Sequence, residues 1–238
     1  DNFDDVNFEK DDLEKMDLGT KTFHNHSGNQ GSISERAIQT AKNITRAVNS
    51  VNELRELVEN FEYCPLKKTA MNTVFSDGNE GSKLMVIAGV PGAEEDRLGL
   101  PFVGPAGQLL DRMLAAIGLN RRKVYISNIL PWRPPGNRSP TAEEVSLCQP
   151  LIERQIALVR PRVVMLVGGT SAKSLMNEKE GITRLRGHWR DLPLAGLPKP
   201  VATMPTFHPA YLLRQPAAKR EVWRDLLEVK KKLEELGD

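Results

Sequence analysis

Four short apolar runs recur along the chain at intervals of roughly forty residues: Leu84 to Ala88, Val124 to Ile129, Val163 to Val167, and Val201 to Thr206. Each is nearly continuous rather than alternating, which is the pattern of a strand covered on both faces. Between them, apolar positions fall at helical steps. Leu109, Leu110, Met113, Leu114 and Ile117 share one face of Gly107 to Ile117, and Thr141 to Leu158 opens on the capping-box pattern Thr141-Ala142-Glu143-Glu144. Thr170 to Met176 is a shorter helical stretch, and Pro216 to Leu236 is amphipathic through Val222, Trp223, Leu226, Val229 and Leu233. This alternation predicts an α/β fold, a three-layer αβα sandwich around a four-stranded parallel sheet with right-handed crossovers.

The pattern upstream divides differently. Residues 1–32 are acidic and then rich in Asn, Gly, His and Ser, with little periodic hydrophobicity, as expected of a flexible tail. Residues 33–62 read as a helical extension, with Ile33, Ala37, Ile38, Ala41, Ile44, Ala47, Val48 and Val51 at three- and four-residue steps and a restart at Ser50-Val51-Asn52-Glu53. The main body is residues 63–238, entered through an irregular stretch from Cys64 to Asp77 whose one apolar patch is Thr73-Val74-Phe75.

Composition narrows the class. A chain of 238 residues suits one α/β domain with extensions. The longest apolar runs fall far short of a membrane span, and two cysteines, Cys64 and Cys148, give no disulfide framework, so a cytoplasmic protein is expected. The net charge of +2 hides an asymmetry: residues 1–16 carry −5, which leaves +7 for the remainder. A mildly basic body permits a polyanionic partner without demanding one. His24 and His26 have no Cys, Asp or Glu cluster at metal-site spacing beside them.

In a parallel sheet the four strands end on one edge, the usual ligand edge. The loops expected there carry Gly89-Val90-Pro91-Gly92-Ala93-Glu94-Glu95-Asp96 with Phe102, then Asn128 with Pro131 to Arg138, then Gly168-Gly169-Thr170-Ser171, then Phe207-His208-Pro209-Ala210-Tyr211-Leu212-Leu213-Arg214. No nucleotide-binding fingerprint fits: Ala172 stands where a P-loop needs Gly before Lys173, and no Gly-x-Gly-x-x-Gly follows a strand. No Gly-x-Ser-x-Gly elbow is present, and Ser171 has no evident base. The set fits better an enzyme that grips a phosphate backbone and probes one base. The amides of Gly168, Gly169 and Thr170 at a helix start offer an anion site, Arg133 and Arg138 further phosphate contacts, Leu212 and Leu213 a wedge. Phe102 offers a stacking ring, and Asn128 an amide that both donates and accepts.

The segments GVPGAEEDRLGLPFVGPAG, VYISNILPWRPPGNRSPT, CQPLIERQIALVRPRVVMLVGG and PTFHPAYLLR, in this order over about residues 60–230, resemble type-4 uracil-DNA glycosylases of the uracil-DNA glycosylase superfamily. The resemblance makes 63–238 a glycosylase-like domain and implies that uracil is flipped out of DNA and read in a pocket. Phe102 would stack on the base, and Asn128 would donate to uracil O4 and accept from N3–H, an arrangement cytosine cannot meet. His208 would stabilise charge growing on uracil O2 as the glycosidic bond breaks. Gly89, Pro91 and Gly92 would form the pocket wall. Leu212 or Leu213 would fill the gap in the duplex, and Arg133, Arg138, Arg214 and Gly168 to Ser171 would hold DNA.

This chain departs from the family pattern at three positions. The family usually has Gly-Glu-Ala-Pro-Gly in the first loop, where this chain has Ala88-Gly89-Val90-Pro91-Gly92, so Gly89 replaces the acid. Glu95 and Asp96 match the second acidic position, with Glu95 the expected water-positioning carboxylate. The family also carries four cluster cysteines; Cys64 and Cys148 match two, and Lys67 and Trp132 replace the others. Because a cubane cluster needs four ligands, no cluster and no other cofactor are expected. The expected activity is monofunctional, leaving an abasic site in single- or double-stranded DNA, by a monomer. The alternatives are a catalytically weakened binder of uracil-containing or abasic DNA, and a small-molecule nucleotide-binding module.

Overall fold

The computed structural model describes residues 30–237. The tail reading for residues 1–29, with His24 and His26, lies outside that range, while residues 30–32 already belong to the first helix. The elements follow as α1 (Gln30–Ala47), α2 (Val51–Glu59), β1 (Ser76–Gly78), β2 (Leu84–Ala88), α3 (Ala93–Leu98), α4 (Gly104–Ala116), β3 (Val124–Asn128), α5 (Ala142–Val159) and β4 (Val163–Val167). They continue as α6 (Gly169–Met176), α7 (Ile182–Leu185), β5 (Arg190–Leu192), β6 (Val201–Thr206), α8 (Pro209–Arg214) and α9 (Lys219–Glu235).

All four apolar runs are strands, and they pair in parallel as β3-β2-β4-β6. Among the described residues the sheet has six strands rather than the expected four, in the order β1-β3-β2-β4-β6-β5, because β1 and β5 add antiparallel edges. Both are short and polar, Ser76-Asp77-Gly78 and Arg190-Asp191-Leu192, so they lack the apolar run that marks a central strand. Side-chain alternation along the central strands builds two cores. Met85, Ile87, Tyr125, Val164 and Leu166 face one layer, where Val51, Leu54 and Val58 of α2 meet Leu151, Ile152 and Ile156 of α5. Leu84, Val86, Val124, Ile126, Val163, Met165 and Met204 face the other, with Leu110 and Leu114 of α4 and Val222, Leu226 and Val229 of α9.

Helix ends follow the capping signals. Thr141 Oγ1 accepts from the Glu144 amide at 3.2 Å, while Glu144 Oε2 accepts from the Thr141 amide at 2.8 Å. Ser50 caps α2 by accepting from the Glu53 amide at 3.1 Å, but Glu53 reaches back to the Asn49 amide rather than to that of Ser50. The N-terminal helices share the α5 core, and Arg154 fastens the turn between them by donating from Nε to the Val48 carbonyl at 2.9 Å. Among the described residues no helix is long and apolar enough to cross a membrane.

The chain leaves β2 for β3 on one side and returns through β4 on the other. This makes the carboxyl end of β2 the switch point at which an open sheet forms its crevice.

Candidate active site

At that switch point Ala88, Val90, Pro91, Gly92, Glu95, Phe102, Ala106, Asn128, Asn137, His208 and Ala210 enclose about 250 Å³. The volume is smaller than that of drug-sized pockets and suits a single base. Larger clefts of about 470 and 480 Å³ lie elsewhere, so convergent polar groups rather than size identify this one.

Asn128 ends β3 and is 6% exposed, and its Nδ2 has no hydrogen-bond partner among the described residues. A buried amide left unpaired costs about 1–3 kcal/mol unless a ligand satisfies it. Opposite stands His208, which caps α8: its Nδ1 accepts from the Ala210 amide at 3.1 Å. The proton of the neutral ring is therefore on Nε2. Burial of the ring, and secondarily the positive charge of Arg214, lower the His208 pKa to about 4. The site thus presents a neutral N–H donor at pH 7.

Phe102 stacks on His208 with ring centroids 5.4 Å apart and planes 19° from parallel. Its backbone sits at φ +53°, a left-handed conformation costly for a bulky residue. Arg121 holds it there, donating to the Pro101 carbonyl at 3.2 Å and to the Phe102 carbonyl while its other donors engage Asp77 and Asp111 at 2.7 Å each. A second clamp fixes the strand end leading to His208. Thr206 donates to Asp225 Oδ2 at 2.6 Å, Arg186 donates to both Asp225 oxygens, and the Arg186 guanidinium lies 5.5 Å from the Phe207 ring centroid. Asp225 is 2% exposed, and burial raises its pKa.

The two acids have structural partners. Glu95 lines the cavity, but Oε2 accepts from the Gly92 amide and Oε1 from the Val103 amide, both at 3.1 Å. Asp96 is not in the cavity wall: it is 3% exposed and accepts from the Met71 amide at 2.8 Å and the Asn72 amide at 3.2 Å. Gly89 is packed so tightly on α6 that a β-carbon there would lie 2.7 Å from Thr170 Cβ.

Several expected DNA contacts need correction. Leu212 is 1% exposed and belongs to the core, because α8 turns it inward, which removes it as a wedge; Leu213 is 42% exposed. Ser171 is fully buried and donates its hydroxyl to the Gly168 carbonyl at 3.1 Å. The Gly168 amide is taken by the Thr206 carbonyl at 2.9 Å, so of the three amides expected to hold phosphate only those of Gly169 and Thr170, in the first turn of α6, stay candidates. Gly168 itself sits at φ +99° against His208. Arg138 is bound by both oxygens of Glu144, at 2.6 and 2.8 Å, and Arg133 donates to Asn137 Oδ1 at 2.8 Å. Both arginines therefore brace the loop that brings Asn137 to the pocket mouth. Asn137, Val90 and Ala106 line the pocket without having been singled out from the sequence, since only the folded loop brings them to it.

Cys64 and Cys148 meet in the core, both fully buried. Their hydrogen bond, with burial, holds the Cys148 thiol well above its ordinary pKa. The remaining two positions do not suit a four-ligand cluster. Lys67 turns to Glu62 at 2.6 Å, and Trp132 is 1% exposed, stacked on Phe61 at 6.0 Å with its indole N–H donated to Thr73 Oγ1 at 3.1 Å.

Comparison with known proteins agrees with this geometry. The profile of the Uracil DNA glycosylase superfamily matches residues 75–227. The chain is 39% identical over 180 residues to a type-4 uracil-DNA glycosylase of Pyrobaculum aerophilum, covering 74% of this chain and 91% of that one. It is 37% identical over 184 residues to that of Archaeoglobus fulgidus (76% and 92% covered) and 39% over 160 residues to that of Thermotoga maritima (67% and 81%).

Proposed function

The chain belongs to the uracil-DNA glycosylase superfamily, and from that premise we propose that it hydrolyses the N-glycosidic bond of uracil in DNA, leaving an abasic site. The observation that carries this reading is the unpaired Asn128 Nδ2 facing the same small cavity as a neutral His208. A flipped uracil offers O4 to Asn128 Nδ2 and N3–H to its Oδ1, and places O2 toward His208 Nε2–H. As the bond from C1′ to N1 breaks, its electron pair moves into the ring and onto O2. A donor already aimed there stabilises the leaving base without first being desolvated. Water then adds to C1′ and gives up its proton to solvent, while the departing uracil anion takes one up. The lining includes no lysine that could form a Schiff base, which supports hydrolysis without strand cleavage.

The direct test is alkali-induced cleavage of a single-stranded oligonucleotide carrying one uracil, after incubation with the protein. Cleavage at the former uracil is expected; tight binding without cleavage would assign a binding protein, and neither would assign a different ligand. Asn128→Asp should reduce the preference for uracil over cytosine by about 10- to 100-fold, because a carboxylate repels O4 and accepts from the cytosine amino group. Selectivity in competitive single-turnover assays checks this, and an unchanged ratio would remove Asn128 from base reading. Action on either strand form by an intracellular monomer is part of the same proposal.

The enzyme so proposed works without an iron–sulfur cluster. Two thiols, a lysine paired with Glu62 and a packed indole in place of four thiolates support this. Anaerobically purified protein should contain no stoichiometric iron or acid-labile sulfide, whereas Lys67→Cys/Trp132→Cys should take up iron and sulfide on reconstitution. Stoichiometric iron in the unmodified chain would overturn it.

A further inference from the structure

Away from the base pocket, Leu109, Met113 and Ala116 of α4, Leu212 of α8, and Val222, Trp223 and Leu226 of α9 line a cleft of about 480 Å³. Its floor is core, but its lip is not: Trp223 is 42% exposed and Leu227, one turn further along α9, is 43% exposed. Arg112 and Lys219 also line it, and neither has an ion-pair partner among the described residues. The nearby acids are committed elsewhere, Asp111 to Arg121, and Glu221 and Asp225 to Arg186. An apolar trough with an exposed tryptophan and unpaired cations calls for an acidic segment with large apolar side chains. A nucleic-acid backbone would use the cations and leave the trough empty.

The chain carries such a segment. Residues 1–18 hold eight acids against two lysines, interleaved with Phe3, Val6, Phe8, Leu13, Met16 and Leu18. We propose that this segment docks in the α4–α9 cleft, with its apolar side chains on Trp223 and Leu227 and its carboxylates beside Arg112 and Lys219. Reach allows it. Residues 19–29 precede α1, and eleven extended residues at about 3.3–3.6 Å each span roughly 36–40 Å. Tethering also raises the local concentration of the segment to the millimolar scale, so that modest complementarity suffices.

Photo-crosslinking of the full chain tests this independently of any glycosylase activity. With benzoylphenylalanine at Phe8, or in a second protein at Leu13, irradiation should give intramolecular crosslinks to residues 109–116 or 219–227. Arg112→Glu/Lys219→Glu should reduce their yield about tenfold at unchanged Tm, and replacing Asp4, Asp5, Asp11 and Asp12 with Lys in that variant should restore it. Crosslinks elsewhere, or none, would overturn the proposal. Crosslinks between chains would assign the cleft to a second copy and overturn docking within one chain. Equal loss of oligonucleotide affinity on charge reversal, with or without the acidic residues, and no crosslink, would assign the cations to DNA.

Discussion

Replacing His208 with alanine should lower the single-turnover rate on a uracil oligonucleotide by about 10²- to 10³-fold, the usual cost of deleting one donor to a developing oxyanion. Affinity for the same oligonucleotide should change far less, because the donor acts mainly on charge that appears as the bond breaks. The geometry behind this is specific: Nδ1 is committed to the Ala210 amide at 3.1 Å, so Nε2–H is the group left for the base. A loss below about tenfold, with native Tm, would place the oxyanion elsewhere. The same residue sets a pH signature. Its folded pKa of about 4 lies below the ordinary 6.5, chiefly through burial. The ring is therefore neutral from about pH 5 upward, and the rate should show no limb near pH 6.5 that disappears in His208→Ala. For stability the unfolded chain binds the proton more readily, so the contribution of His208 is full above pH 6.5, declines as pH falls toward 4, and levels off below. Thermal melts should show that decline between pH 6.5 and 4 flattened in His208→Ala.

How much of this was legible in the sequence depended on whether a residue speaks through local pattern or through long-range packing. The central strands were readable because two-sided burial demands continuous apolar runs, as in Val163 to Val167. The edge strands were not, since Ser76-Asp77-Gly78 and Arg190-Asp191-Leu192 earn their pairing from a neighbour already in place. At the site, Asn128, Phe102 and His208 stand at or beyond strand ends where a parallel sheet exposes its loops, and the cavity brings them together. The side chains that hold them are invisible to such reading: Arg121 reaches Phe102 across 19 residues in sequence, and Asp225 reaches Thr206 from α9. Burial also reassigned residues that pattern could not separate. Leu212 and Leu213 are adjacent and chemically alike, yet the rotation of about 100° between neighbouring helix positions sends the first into the core and the second into solvent.

The first-loop glycine gives the other large prediction. If catalysis in this chain is limited by the acid that Gly89 replaces, restoring it should raise the rate by about 10²- to 10⁴-fold, the range of a positioned general base. Gly89→Glu alone should fall short of that. A β-carbon at residue 89 would stand 2.7 Å from Thr170 Cβ, which is anchored directly to the backbone at the start of α6 and cannot swing aside as a long side chain would. Relieving the contact by moving α6 would disturb Gly168, which packs on His208, so the added acid would displace the donor it needs. The single variant should lose about 1–3 kcal/mol of stability as an overpacked site and gain little activity. Gly89→Glu/Thr170→Gly removes the obstructing carbon, and this pair should show the gain, with Gly89→Gln/Thr170→Gly as the isosteric control that lacks the base. Single-turnover rates on one uracil oligonucleotide, read beside Tm, decide the outcome. A double variant that melts normally and is no faster than its glutamine control would show that another group already positions the water. Glu95, whose oxygens hold the Gly92 and Val103 amides at the cavity wall, would then be the next carboxylate to replace.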